Sequence, residues 1–64
     1  MSKPDWKDAP EWANWLAQDA DGEWNWFQFE PVRAFNHWQS HGIEMLAGTD
    51  SHNWLYTKTL ERRP

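Results

Sequence analysis

Trp12-Ala-Asn-Trp-Leu-Ala-Gln-Asp-Ala-Asp-Gly-Glu-Trp-Asn-Trp-Phe-Gln-Phe29 is the stretch on which the fold depends. Its second limb, Glu23–Phe29, is rich in aromatic residues and sets Trp24 and Trp26 on alternate positions, as a strand with a buried face requires. Asp19-Ala-Asp-Gly22 precedes it. Aspartate side chains bond nearby backbone N–H groups, and glycine takes positive φ without steric cost, so these four residues read as a hairpin loop. The first limb carries two readings. As a strand over Trp12–Gln18 it completes the hairpin. As a helix it starts at Asp8-Ala-Pro-Glu11, which has the cap, the early proline and the glutamate three residues on, and it aligns Trp12, Trp15 and Leu16 at i, i+3, i+4. The hairpin is favoured, with residues 9–18 left open between strand and helix. In the hairpin, Trp12, Leu16, Trp24 and Trp26 line one face and Trp15, Phe27 and Phe29 the other. A chain this short has to cover one face as core. The second face meets a partner or another copy, or is covered by Phe35, Trp38, Ile43, Leu46 and Trp54.

Outward from the hairpin the signals weaken. Pro31 ends the second limb. Val32 to His41 reads as a short helix, with Val32, Phe35, Trp38 and Gln39 on one stripe, or as an irregular strand. Gly42 breaks it, Ile43–Leu46 is a short apolar run, and Ala47–Ser51 reads as a loop. Asn53–Leu60 fits a strand or a capped helix. Residues 1–7 read as a loose arm that Trp6 pins, and residues 8–64 as a single compact domain. The fold class expected is α+β, a small antiparallel sheet built on the hairpin with one short helix.

Composition bounds the function. Sixty-four residues make one small domain and exclude the doubly wound, barrel and two-domain enzyme folds. There is no cysteine, which excludes disulfides, thiolate zinc sites and a cysteine nucleophile. Val, Ile, Leu and Phe supply nine residues, about 14% of the chain, a proportion typical of disorder. Seven tryptophans oppose that reading, since each buries on the order of 150–250 Å². They therefore make the core or a binding face, and truncating Trp24 or Trp26 is expected to cost a few kcal/mol. No apolar leader or membrane span is legible, so a cytoplasmic protein is expected.

Charge is uneven. Residues 1–30 carry seven acids and two lysines, whereas residues 31–64 carry three acids and four bases. An acidic front half lacks the cations that phosphate contacts need and suits a basic protein surface instead. Base stacking on Trp24 and Trp26 lacks its positive groove, so no direct nucleic-acid binding is expected. His37 and His41 share a face only if Val32–His41 is helical, and His52 or Glu44 would have to complete a metal shell. Asp19, Asp21 and Glu23 alternate as in a calcium loop, but Gly22 stands at the fourth position rather than the sixth, so a turn is expected. No catalytic motif and no cofactor fingerprint is present, and the chain reads as a non-enzyme without cofactor or metal.

Three segments, Trp6-Lys-Asp-Ala-Pro-Glu-Trp-Ala13, Asp19-Ala-Asp-Gly-Glu-Trp-Asn-Trp-Phe27 and Thr59-Leu-Glu-Arg-Arg-Pro64, resemble the small Trp-rich accessory proteins of tailed bacteriophages. The resemblance covers about half the chain and includes no catalytic motif. It implies a protein made in the host bacterial cell, of a kind that often inhibits host or defence machinery, and it assigns no target. The function expected is non-catalytic inhibition of a bacterial protein with a basic surface. An acidic face then mimics DNA, and anti-CRISPR or anti-restriction activity is the natural form. The partner-binding residues are Asp19, Asp21, Glu23 and Glu30 with Trp15 and Trp24. The alternative is a structural accessory protein that forms a homodimer through an aromatic face, so monomer and homodimer both stand.

Overall fold

The hairpin forms as the alternation requires. In a computed structural model, which describes residues 3–64, β1 (Trp15–Gln18) and β2 (Glu23–Phe27) pair antiparallel. Leu16 stands opposite Trp26, and Gln18 opposite Trp24. The loop between them closes through Asp19 N–H to Glu23 O and Gly22 N–H to Asp19 O, each 2.9 Å. Asp21 accepts the N–H of Glu23, and Gly22 has φ +97°, the positive angle that favours glycine.

β5 (Glu44–Thr49) adds to the outer side of β2, and β6 (Glu61–Arg62) to the outer side of β1, giving an antiparallel sheet of order β5-β2-β1-β6. β3 (Val32–Arg33) and β4 (Trp38–Gln39) form a second, two-stranded ribbon. The remaining regular pieces are isolated 3-10 turns at Trp6–Asp8 and Tyr56–Lys58. The fold is therefore mostly β, with no α-helix among the described residues, and also none long and apolar enough to cross a membrane.

The one short helix expected does not form, and the helical alternatives give way to strands for identifiable reasons. Val32–His41 is the β3–β4 ribbon: Asn36 sits at φ +64°, which turns the chain back where a helix would continue. Trp38 spends its N–H on Asp19 Oδ1 (2.8 Å) and its indole N–H on Gln18 O (3.0 Å). These tertiary bonds outweigh a short helix that would be marginal alone. In residues 9–18, Ala13 N–H closes a single turn onto Pro10 O, and Asn14 N–H then enters the sheet at Phe27 O. The cap belongs to Asp5, which accepts Lys7 N–H, rather than to Asp8. The supposed loop Ala47–Ser51 is instead strand as far as Thr49. It accommodates one extra residue, Ala47, where the β2–β5 register shifts.

Both faces of the hairpin are covered. Ala13, Leu16, Trp24 and Trp26 form one buried cluster, against which Trp6, Ala9, Trp12 and Ala47 pack. Ala17, Phe27 and Trp38 form the other, covered by Trp15, Tyr56 and Leu60. The division of Trp12, Leu16, Trp24 and Trp26 from Trp15 and Phe27 matches the strand alternation, whereas Phe29 is exposed. Of the five residues expected to cover the second face, Trp38 does so. Phe35, Ile43, Leu46 and Trp54 remain exposed.

The chain ends tie the first cluster shut. Residues 1–2 of the expected arm lie outside the described residues. Trp6 lies on Trp26 with ring centroids 5.0 Å apart, and its indole N–H donates to Glu61. Bonds from Lys3 and Trp6 hold the Glu61 carboxyl below the usual carboxylate range. The Arg63 guanidinium stands 5.6 Å from the Trp6 ring centroid and donates to Pro10 O (3.0 Å) and Ala13 O (2.5 Å). One side chain thus satisfies two carbonyls and covers an indole. Arg63→Ala is expected to lower stability by about 2–3 kcal/mol, since bonds to a charged donor are worth about 1.5–3 and the ring contact about 0.5–1. Arg63→Lys, a point charge without the planar fork, recovers only part of this in urea denaturation.

Two tryptophans differ in one bond. The buried Trp24 indole N–H has no partner, whereas that of Trp38 is bonded to Gln18 O. An unpaired buried donor costs about 1–3 kcal/mol. Trp24→Phe removes that cost along with some packing and is expected to be within about 1 kcal/mol of neutral. Trp38→Phe, which loses a made bond, is expected to cost at least about 1 kcal/mol more by urea denaturation.

Candidate functional site

The β1–β2 loop is also where the rest of the chain converges. Ala20, a buried residue in that loop, is bonded on both sides: its N–H donates to Asn36 O (3.0 Å), and its C=O accepts the N–H of Asn53 (2.9 Å). The β3–β4 loop and the segment before the second 3-10 turn are thereby fixed to one residue, through the peptide groups on its two sides. Each is further braced. Asn36 N–H donates to the Tyr56 hydroxyl, which donates to Ala34 O. Asn53 Oδ1 accepts Leu55 N–H, and its amide donates to Gln18 Oε1 at 2.8 Å.

The residues beside these anchors point outward. Phe35, before Asn36, is 91% exposed, and Trp54, after Asn53, is 87% exposed. Together with Asp19, Ala20, Asp21, Asn36, His37 and His52 they line a groove of about 420 Å³. No lysine or arginine lines it. Large aromatic rings on braced backbone, set beside carboxylates, would lose little backbone entropy on meeting a partner.

Asp19 is the half-buried acid of the groove. Burial holds its carboxyl above the usual carboxylate range; the Trp38 N–H bond offsets part of that rise, and the neighbouring Asp21 carboxylate adds to it. A carboxylate short of water gains more from an incoming cation than a fully hydrated one does.

The six residues singled out by sequence separate here. Asp19 and Asp21 line the groove, whereas Glu23, the first residue of β2, is not among its lining residues. Glu30 is exposed beyond the far end of β2, which spans about 13 Å of strand from Glu23 to Phe27. Trp15 starts β1 at that same far end, opposite Phe27, and packs partly buried in the second cluster. Trp24 lies in the first cluster with 7% of its surface exposed. The groove thus joins two of the six, Asp19 and Asp21, to six residues outside that set: Ala20, Phe35, Asn36, His37, His52 and Trp54. The aromatic pair carried no positional signal, because Ala20 brings it together through backbone bonds.

Metal ligation finds no support in the geometry. His37 and His41 do not share a helix face, His37 lying in the β3–β4 loop and His41 beyond β4. Among the described residues no three histidine, aspartate or glutamate side chains are grouped to hold an ion. Asp21 instead accepts the N–H of Glu23, the bonding of a turn, and Asp19 accepts that of Trp38 across the fold.

No family model, curated protein or solved structure matches the chain.

Proposed function

We propose that the chain is a small non-catalytic binding protein that inhibits a bacterial protein by occupying a basic functional surface. The observation that carries this is the pair of exposed aromatic rings, beside residues bonded to Ala20, that line one groove with the Asp19 and Asp21 carboxylates. Acidic groups select and steer toward positive surfaces, and aromatic side chains supply the apolar anchor of most binding hot spots. The resemblance to phage accessory proteins supplies the bacterial setting. Nucleic-acid-handling defence proteins carry positive channels, so anti-CRISPR or anti-restriction inhibition is the finer form of the proposal.

Affinity capture from bacterial lysate, read by mass spectrometry, tests it. Asp21→Asn with Glu23→Lys removes charge while keeping the side-chain acceptor that closes the turn; Asp19 stays in place because it holds Trp38 N–H. The wild-type chain should retain a protein with a basic surface that the variant loses, at unchanged melting temperature. Equal capture by both would sink the reading.

A self-associating accessory protein is the second reading, favoured by the exposed Ile43, Met45 and Leu46 on and beside the edge strand β5. Both hairpin faces are covered, so a homodimer would form through an exposed edge such as β5 and not through a hairpin face. Light scattering at micromolar concentration separates the two readings, a monomer supporting the first and a stable dimer the second.

A further inference from the structure

We infer that the groove between Phe35 and Trp54 is a receptacle for a single arginine side chain of the partner, its guanidinium stacked on the rings and bonded to the Asp19 and Asp21 carboxylates. The inference rests on the proposed docking reading and narrows it from a basic surface to one side-chain chemistry.

Four observations lead there. The groove is lined by two aromatic rings, two carboxylates and two imidazoles, with no lysine or arginine among them. Its volume of about 420 Å³ suits one long side chain rather than a helix or strand. The rings are exposed yet braced from behind, so they are presented and not packed. The chain also uses the same recognition internally, where the Arg63 guanidinium covers the Trp6 ring and bonds two oxygen acceptors beside it.

Arginine fits this surface better than lysine for physical reasons. Its guanidinium is planar, weakly hydrated and able to stack on a ring face while its edge donors reach oxygen acceptors in the same plane. An ammonium is a compact, strongly hydrated ion that must shed more water to leave solution, and it meets a ring as a point charge only. A carboxylate accepts through two oxygens, so the bonds that Asp19 and Asp21 already make to Trp38 and Glu23 leave acceptor capacity on each.

The probes are three capped peptides, Gly-Ser-Xaa-Ser-Gly, with arginine, lysine or citrulline at the centre. Each is titrated into the full ¹⁵N-labelled chain while the Trp54 indole and Ala20 amide signals are followed. The arginine peptide should shift both signals saturably. Lysine should bind at least about fivefold more weakly, and citrulline, which keeps the shape and loses the charge, should not bind measurably. Phe35→Ala and Trp54→Ala remove exposed rings, and each should weaken the arginine peptide at least about fivefold with the remaining spectrum unchanged.

Equal binding of arginine and lysine, binding of citrulline, or unchanged affinity in both ring variants would overturn the inference. If these fail while charge removal at Asp21 and Glu23 still abolishes capture from lysate, acidic docking stands and arginine recognition falls. If capture is also indifferent to charge, both fall together.

Discussion

Trp26→Ala is expected to lower the unfolding free energy by about 3–5 kcal/mol, the usual cost of truncating a large core aromatic. A domain of this length has only about 3–10 kcal/mol to lose, so much of the population should unfold at room temperature. The position explains the size of the effect. Trp26 is 97% buried on the first face, opposite Leu16 on β1 and Met45 on β5. Trp6 rests on it, and through Trp6 so do Glu61 and Arg63. Removing the indole therefore opens a cavity and releases the ties between the two chain ends. Urea denaturation followed by circular dichroism checks it. A loss below about 1 kcal/mol would mean that the first cluster is not the core of the molecule.

Gly22→Ala is expected to cost about 2–4 kcal/mol and to dismantle the groove as well. The residue is at φ +97°, and a Cβ there would lie 2.1 Å from Asp50 O and 2.6 Å from Ser51 O. Both are backbone atoms, so the segment after β5 has to move away or the loop has to open. Either movement strains the Asp50 N–H bond to Gly22 O, 2.9 Å in the native fold, and Asn53, which holds Trp54 against Ala20, lies three residues beyond. Gly22→Asn should give no rescue, because asparagine tolerates the angle but keeps the Cβ. Gly48→Ala is the control: nothing lies within 4 Å of its added carbon, and its change should stay within about 0.5 kcal/mol. The readout is the thermal midpoint together with the Trp54 indole NMR signal. Equal effects at Gly22 and Gly48 would refute the packing of residues 50–51 against the hairpin loop.

The hairpin was legible because its signals are local. Asp19, Asp21 and Gly22 carry the chemistry of the loop in their own side chains and backbone freedom, and Trp24 and Trp26 carry the period of two. The same period separated the two faces before any packing was known. The Val32–His41 region was only half legible, since its apolar spacing suited a helix as well as the irregular strand it forms. What decides it is long-range: Asp19 takes the Trp38 N–H, and Tyr56 takes the Asn36 N–H. Composition also left open which tryptophans are core. Trp24 and Trp38 are buried and Trp54 is exposed, a distinction set by which residues fall on the two faces of the sheet. At the candidate site the acids announced themselves through clustering. Phe35 and Trp54 did not, being 19 residues apart in sequence and joined through a backbone amide and carbonyl that no side chain marks.

On the proposed reading Phe35 and Trp54 serve binding and not folding. The direct measurement is a paired one on Phe35→Ser with Trp54→Ser: the thermal midpoint, and capture of the bacterial partner retained by the wild-type chain. The midpoint should be unchanged, as for other surface substitutions within about 0.5 kcal/mol, and capture should be lost. A variant that unfolds, or one that captures the partner as well as the wild type, would contradict it.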